Sequence, residues 1–542
     1  MAPGRGSGTY RRQAGPASDE CDPAVEESGP ASAEHAATAA DSPSTVSAAP
    51  VRRAKKRRVT ASPATSAQED RRNERTGSLF DNGSAAPTAA RMSSTLAPGA
   101  HRPILPAEQA TARCLASRRG SVSAVGELPA GASEVQSVAR AGFDWVGSVT
   151  VEADGGLGWL EGGELFDDLY SGSAGVLLGC AEATASGLDM AKLASGAVAR
   201  LMHLAARGRD VETMPDDGLF SGWAGVVVAL RAWSSVAGDV DAGRGATWVS
   251  SQIADRVLHA PEDPARYVDI ISGDAGILLA LVGDDSDLAT AAANMLADRL
   301  VQVAEGGPGG LHWRMTREWE YLMPGFSHGT AGVAYALAAA GRRLDRPDLI
   351  DVAVHAGDTL LRLGHTPEGW ALPVAIPPRP HGPRVNFGWC HGPTGTVRLF
   401  LLLDAIDPQP LWQQAVDACL QAVADSGLPA RLYPGFWDNL ARCCGTAGVG
   451  RLLLDRYQAS GDAALLDWAD VLAADVIERA LITPRGITWS NTEHTRTPPE
   501  LPPEPGLMQG TAGIAGWLAR LSALHVDGRT PAAPLGVVPS WL

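Results

Sequence analysis

Two hydrophobic patterns alternate along the chain from about residue 137 onward. Runs such as 276–282 and 332–340 are apolar on nearly every side, which predicts buried helices. Segments 348–363, 411–426 and 463–480 instead carry apolar residues at i, i+3, i+4 and i+7, which predicts amphipathic helices with one face exposed. The alternation indicates outer helices packed around inner ones.

Each buried run follows a short glycine motif, and the motif occurs seven times at spacings of 50 to 65 residues. The first glycines are Gly172, Gly222, Gly273, Gly329, Gly392, Gly445 and Gly510. One repeat is thus an amphipathic outer helix, a loop and a buried inner helix, and the glycines allow a tight entry into the inner helix. The end repeats of an open solenoid would be polar caps. Here the first and last motifs are like the middle ones, so we predict an all-α fold: an α/α toroid of seven αα repeats with inner and outer helical rings.

The N-terminal quarter of the chain has a different composition. Residues 1–135 are rich in Ala, Ser, Pro, Gly and Arg and almost free of aromatic residues, so they cannot bury enough apolar surface to offset the entropy of ordering. We predict a disordered tail over 1–135 and the toroid over 136–542. A basic cluster at 52–58 interrupts the tail and could contact an acidic partner, a membrane surface or nucleic acid, although a solvated tail is the simpler interpretation.

Charge and composition exclude several classes of protein. Residues 1–125 hold 17 Lys and Arg against 12 Asp and Glu, a charge of +5, and the remainder carries −21 of the total of −16. Such an acidic body argues against nucleic acid as a partner. There is no transmembrane-length apolar run and no signal-peptide pattern, which favours a cytoplasmic protein.

Reactive side chains occur in only three of the seven motifs. The fourth motif carries His328, the fifth Cys390 and His391, and the sixth Cys443 and Cys444. Closure into a ring would bring the three thiols to one mouth of the toroid. Three sulfur ligands with one open position are typical of a catalytic zinc site, whereas a structural site is closed by four ligands.

The other four of the seven cysteines need no chemical role. Cys180 and Cys419 lie in apolar helical stretches and are predicted to be packed as small hydrophobic residues. Cys21 and Cys114 fall in the predicted tail. An odd number of sparse cysteines without a secretion signal also argues against a disulfide framework.

At these motifs the sequence resembles the lanthionine synthetase C-like cyclase family. The matching strings are G-F-S-H-G at 325–329, W-C-H-G at 389–392 and C-C-G at 443–445, and the resemblance extends over about residues 138–530. It implies an α/α toroid with one zinc ion. By position, Cys390 and Cys443 correspond to zinc ligands, and Cys444 replaces the histidine that many members have as the third ligand.

The resemblance also implies the remaining site residues. His328 corresponds to the active-site histidine, and Asp269 to an acidic residue ahead of the third motif. A second histidine of the family falls on Glu318 here. The arginine that precedes W-C falls on Asn386, and Arg384 could substitute for it.

The implied activity is the closure of thioether rings in a peptide. Zinc would hold a cysteine of a precursor peptide as a thiolate, which attacks dehydroalanine or dehydrobutyrine in the same peptide. His328, oriented by Asp269, would move the proton. Because three thiolates leave the zinc site at −1, we expect a reactive and permissive cyclase. The chemistry implies a dehydrated precursor peptide as substrate and a separate dehydratase that supplies it.

Three other interpretations remain open at this stage. The same site could add a free thiol such as glutathione to dehydrated proteins. The toroid could instead be a non-catalytic, peptide-binding protein with a structural zinc ion, for which His391 is the nearby candidate fourth ligand. A toroidal glycosidase is disfavoured, since its paired carboxylates are not evident in the motif loops.

Overall fold

A computed structural model describes most of the chain beyond residue 130. The described residues are 131–208, 213–214, 216–260, 263, 265–366, 369–379, 384–430, 439–492, 500–527 and 539–542. The predicted tail, its basic cluster, Cys21 and Cys114 therefore lie outside the described residues, except for the last five positions of the tail. The first helix begins within those five positions, at Ala132. Its first buried residue is Val135, so the segment that packs on the ring starts slightly before the predicted boundary.

The described residues form fourteen α-helices in two sets. The inner helices are buried on nearly all sides over most of their length: α2 (Ser173–Ala185), α4 (Trp223–Ala237), α6 (Asp274–Leu281), α8 (Thr330–Leu344), α10 (Pro393–Ile406), α12 (Thr446–Ser460) and α14 (Thr511–Asp527). The outer helices bury one face only: α1 (Ala132–Ser148), α3 (Ala191–Arg207), α5 (Val240–His259), α7 (Asp287–Gln302), α9 (Pro347–Gly364), α11 (Pro410–Asp425) and α13 (Ala463–Glu478). The two sequence patterns thus identified both rings, and the predicted α/α toroid is confirmed.

Helix contacts show how the ring closes. Most inner helices pack most closely on the outer helix that follows them in sequence, as α4 does on α5, whereas α2 packs more closely on α4 than on α3. The last inner helix, α14, has no described helix after it and packs instead on α1 and on the first inner helix, α2. The packing unit is therefore an inner helix followed by an outer one, and the N-terminal helix completes the seventh unit.

A belt of backbone hydrogen bonds links the seven motif loops. In each loop, the residue two or three positions before the first glycine donates its backbone N–H to a carbonyl of a neighbouring motif loop. The donor–acceptor pairs are Tyr170 to Phe220 (3.1 Å), Phe220 to Ile271 (2.8 Å), Ile270 to Ser327 (3.2 Å), Ser327 to Cys390 (2.8 Å), Trp389 to Cys443 (2.9 Å), Cys443 to Met508 (2.9 Å) and Met508 to Tyr170 (3.0 Å). The belt returns to its starting residue, so equivalent loop positions lie side by side around one end of the ring.

The motif glycines are needed where this belt meets the inner helices. A Cβ atom at Gly332 would overlap the carbonyl oxygen of Phe326, and one at Gly329 would overlap that of Met323. The loop therefore folds back directly onto the first turn of its helix, an approach that a larger side chain would block.

Short β-hairpins occupy four connections from an outer helix to the next inner helix. They are the sheet of β1 (Val151–Ala153), β2 (Gly156–Glu161) and β3 (Glu164–Phe166), and the pairs β4 (Glu305–Gly307) and β5 (Gly310–His312), β6 (His365–Thr366) and β7 (Gly369–Trp370), and β8 (Leu481–Thr483) and β9 (Gly486–Thr488). Three of them fix a buried tryptophan, whose indole N–H donates to a carbonyl on the preceding outer helix: Trp159 to Val146, Trp313 to Leu300 and Trp489 to Val476.

The interior of the ring is packed with aromatic and ionic groups. Trp541 lies edge-on to Phe220, at 5.9 Å between ring centroids, and its carbonyl accepts a 2.8 Å bond from the indole of Trp389. Deeper in the ring, buried Glu182 pairs with the guanidinium groups of Arg442 and Arg451.

Among the helices that the structure describes, none is long and apolar enough to cross a membrane.

Candidate metal and proton-transfer site

The hydrogen-bonded belt places the reactive residues in two neighbouring positions of consecutive loops. Cys390 and Cys443 both lie two positions before the first glycine of their motifs, and His328, His391 and Cys444 lie one position before it. Because the belt joins the fourth loop to the fifth and the fifth to the sixth, residues up to 116 positions apart in sequence come to one side of the ring mouth.

Three sulfur atoms form the only group of potential metal ligands within the described ranges. The Sγ atoms of Cys390, Cys443 and Cys444 all lie within 4.8 Å of one another, and those of Cys390 and Cys444 are 3.5 Å apart. Thiolates that share one zinc ion at about 2.3 Å each lie roughly 4 Å apart, so the donor set and its spacing fit such an ion. Cys390 and Cys443 are buried and Cys444 is partly buried. Cys390 and Cys443 are reduced, whereas Cys444 is disulfide-bonded in this structure and would have to be reduced to bind metal.

Burial governs the acid–base chemistry of this cluster. It raises the pKa of Cys390 well above its ordinary value, and the adjacent Cys443 raises it further. Without a cation nearby, the Cys390 thiol therefore keeps its proton at neutral pH. A bound metal ion is the ordinary means of holding such a buried cluster as thiolates.

His328 and Asp269 form a hydrogen-bonded pair in the neighbouring loops. The Nδ1 atom of His328 lies 2.6 Å from Oδ2 of Asp269, and the other carboxylate oxygen accepts a 2.9 Å bond from the backbone N–H of Ser272. A carboxylate can only accept, so Nδ1 carries the proton and Nε2 is left for proton exchange. Asp269 is fully buried, whereas the His328 side chain keeps 15% of its surface exposed.

His391 follows Cys390 in the fifth loop, and its ring lies beside that of His328. Its ring centroid is 5.8 Å from that of His328, and its side chain is buried. Burial lowers its pKa to about 3, with His328 contributing, so the ring is neutral. Within the described residues its Nδ1 atom has no hydrogen-bond partner, and it does not belong to the group of potential metal ligands.

Two further side chains at the cluster were not predicted from the sequence. Nε2 of Gln509 lies 3.5 Å from Sγ of Cys444 and 3.1 Å from the hydroxyl oxygen of Tyr170. The Tyr170 hydroxyl in turn interacts with Cys443, and burial raises the pKa of Tyr170 well above its usual value, so the phenol stays protonated. Their signal in the sequence is positional: Gln509 aligns with Cys444 in its motif, and Tyr170 aligns with Cys443.

The remaining candidates lie elsewhere. Glu318 and Arg384 are exposed, and the Asn386 side chain accepts a 2.6 Å bond from the N–H of Gly388. Cys180 and Cys419 are buried in helices α2 and α11, consistent with their predicted packing role.

Comparison with known families decides which group of proteins this arrangement belongs to. The family described as lanthionine synthetase C-like protein matches residues 164–527, well over half of the chain. The chain belongs to the lanthionine synthetase C-like family. This confirms the resemblance seen in the glycine, tryptophan–cysteine and cysteine–cysteine motifs.

Solved structures similar to this lanthionine synthetase C-like chain are distant in sequence. Nisin cyclase is 14% identical with a TM-score of 0.47, covering 66% of this chain and 92% of its own. A GH76A α-1,6-mannanase from Salegentibacter is 12% identical (TM-score 0.41, 71% and 98% covered), and cellobiose 2-epimerase from Spirochaeta thermophila is 16% identical (TM-score 0.40, 73% and 98% covered). A comparison with curated proteins gives no match.

Proposed function

We propose that this protein is a zinc-dependent lanthipeptide cyclase. Its substrate is a dehydrated precursor peptide, supplied by a separate dehydratase, and its product is a lanthionine or methyllanthionine thioether ring. The observation that carries the proposal is a cluster of three sulfur atoms in the fifth and sixth loops, which backbone hydrogen bonds join to the fourth loop, where His328 pairs with Asp269. Membership of the lanthionine synthetase C-like family supports it.

Cys390, Cys443 and Cys444 are the residues that would hold the ion. Zinc, when bound, lowers the pKa of a coordinated thiol so that a thiolate is available at neutral pH. Three protein ligands would leave one position for an exogenous thiol, as in catalytic zinc sites. That His391 stands outside the ligand group favours this open arrangement over a closed structural one.

The chain's own residues would manage the proton. In the net reaction the S–H of a peptide cysteine adds across the Cα=Cβ bond of a dehydro residue. A C–S bond forms at Cβ, the π electrons move into an enolate, and Cα receives a proton. His328 is the group that takes up the thiol proton and returns it at Cα, while Asp269 fixes its tautomer and stabilises the imidazolium form.

Metal content tests the proposed ligands. The full-length chain, purified under reducing conditions, is expected to bind about one zinc ion. Cys443→Ala should lose that zinc, because two sulfur atoms and water hold it far less well. Cys180→Ala and Cys419→Ala remove equally buried thiols outside the cluster and should keep the zinc. A folded wild-type protein without zinc would contradict the metal mechanism.

Activity is tested with a dehydrated peptide that contains both cysteine and dehydroalanine. Cyclisation leaves the mass unchanged, so it is followed by the loss of thiol alkylation. A second peptide without cysteine, incubated with glutathione, separates ring closure from intermolecular thiol addition, which would raise the mass by one glutathione. Exclusive reaction of the second peptide would overturn the cyclase assignment and favour the thiol-transfer alternative.

A further inference from the structure

The side chains of Gln509 and Tyr170 bring hydrogen-bond donors to the sulfur cluster. Both come from motif loops without a predicted metal ligand, the seventh and the first, and the belt joins these loops beside the sixth. The orientation of the Gln509 amide determines whether nitrogen or oxygen faces sulfur, and a chain of hydrogen bonds fixes it.

That chain starts at a backbone group whose role is unambiguous. The N–H of Ala441 can only donate, and it lies 2.9 Å from Oδ1 of Asn439. The other end of that side chain is then the NH₂ group, which donates over 3.0 Å to Oε1 of Gln509. The amide nitrogen of Gln509 must therefore be the atom that faces Cys444 and Tyr170.

The two hydrogens of that nitrogen are both used. One is directed at the Tyr170 hydroxyl oxygen, 3.1 Å away, and the other at Sγ of Cys444, 3.5 Å away. Since its oxygen accepts from Gln509, the Tyr170 hydroxyl is free to direct its own hydrogen to Cys443, with which it interacts. Cys444 and Cys443 thus each face a side-chain donor.

Such donors matter most in a site with excess negative charge. Three thiolates around a divalent ion leave a charge of −1, and a fourth thiolate from a substrate would make it −2. N–H and O–H dipoles that point at sulfur stabilise the charged thiolates without changing the formal charge of the site. An all-sulfur ligand set has more to gain from them than one that includes a neutral histidine.

We propose that Gln509 and Tyr170 are positioning residues that stabilise the metal-bound thiolates of Cys444 and Cys443, and that Asn439 acts by orienting the Gln509 amide. This inference rests on the metal site of the proposed function. It predicts that metal affinity and the electronic structure of the sulfur ligands depend on residues that do not themselves bind the ion.

The test uses the full chain with zinc and with Co²⁺ as a spectroscopic probe. Tyr170→Phe and Gln509→Leu each remove a donor at nearly constant volume and are expected to weaken zinc binding, measured by chelator competition, by about 10–100-fold. The sulfur-to-cobalt charge-transfer band should move to longer wavelength, because sulfur lone pairs without a donor lie higher in energy. Asn439→Asp, which cannot donate to Gln509, should act in the same direction.

Tyr335→Phe is the matched control, since it removes a buried hydroxyl that bonds to Ser540 rather than to the cluster. Its band and zinc affinity should equal those of the wild type. Unchanged affinity and spectrum in folded Tyr170→Phe and Gln509→Leu would overturn the inference and leave the metal site standing. If Gln509→Leu fails to fold, Tyr170→Phe decides alone. A wild type that binds neither metal would overturn both this inference and the proposed site.

Discussion

Asp168 and Asp269 occupy equivalent loop positions, and comparing their hydrogen bonds distinguishes a structural role from a chemical one. Asp168 and Asp269 both lie four residues before the first glycine of their motifs. Each accepts a hydrogen bond from the backbone N–H three residues later, Ser171 at 2.8 Å and Ser272 at 2.9 Å. Asp269 additionally contacts a histidine, at 2.6 Å. Loop stabilisation is therefore common to both carboxylates, and the contact with His328 distinguishes Asp269.

This comparison makes Asp269→Asn an informative substitution. The amide can still accept the loop hydrogen bond, but it cannot stabilise an imidazolium and would present its NH₂ group to Nδ1, forcing the opposite tautomer. We expect cyclisation to slow by roughly 10²–10⁴-fold, the usual contribution of general acid–base catalysis, with the zinc content unchanged. The rate of thiol loss in the cysteine–dehydroalanine peptide measures it.

Asp168→Asn provides the control for the loop itself and should cyclise at close to the wild-type rate. Equal losses in the two variants would mean that both carboxylates act only on loop structure. Loss of zinc in Asp269→Asn would likewise argue against a separate proton-transfer role.

Residue identity in the motifs predicted the sulfur cluster but not its donors. Cysteines at corresponding loop positions are unusual enough to indicate a metal site from sequence alone. Tyr170 and Gln509 occupy the same positions, yet a tyrosine or glutamine there has many ordinary explanations. Only the backbone belt, which brings the first and seventh loops beside the sixth, gives these two residues a common target.

At the scale of elements, helices were predictable and hairpins were not. The inner and outer helices have patterns over 8 to 20 residues, which is long enough for periodicity to register. The strands have at most six residues and mostly two or three, too few for alternation to be recognised. The available signals were the two-residue turns Asp154-Gly155 and Gly162-Gly163, whose glycines have positive φ and whose composition is typical of tight hairpins.

The entry of each inner helix depends on glycine at two positions, and Gly332→Ala tests this directly. A Cβ atom at position 332 would overlap the carbonyl oxygen of Phe326. Phe326 lies in the same motif loop as His328. Since backbone cannot yield as a side chain can, we expect the free energy of unfolding to fall by about 1–3 kcal/mol or more. Chemical denaturation measures the change.

Gly306→Ala is the matched substitution in open space, because no heavy atom lies within 4 Å of the added methyl group. It should leave the unfolding free energy within about 0.5 kcal/mol of the wild type. If both variants are equally stable, the close approach of loop and helix does not constrain the fold.

For the whole molecule, the decisive feature is that the ends of the repeat array meet. Helix α1 packs on α14, and its buried face includes Val138, Phe143 and Val146. The carbonyl of Val146 also receives the Trp159 indole N–H at 3.0 Å, so α1 holds the first hairpin sheet in place. Inside the ring, Glu182 on α2 pairs with Arg451 on α12 at 2.5 Å, which ties the first unit to the sixth.

Closure predicts that removing one terminal helix affects the entire ring. Burial of each large apolar side chain of α1 contributes about 1.5–3 kcal/mol, and the helix buries five of them: Val135, Val138, Phe143, Trp145 and Val146. Their sum is comparable with the 5–15 kcal/mol that stabilises a typical domain. A chain that begins at residue 150 should therefore lose its cooperative unfolding transition, together with its zinc site.

A chain that begins at residue 131 keeps all of α1 and should unfold with the same free energy as the full-length protein. A start at residue 136 would be a poorer control, because it removes the buried side chain of Val135. An open solenoid behaves differently, because its repeats contact only their neighbours and the loss of a terminal helix costs one interface. A chain from residue 150 that melts within a few degrees of the chain from 131 would mean that the seam between α14 and α1 contributes little. Zinc retained by that shortened chain would show that the sulfur cluster, between the fifth and sixth loops, forms without ring closure.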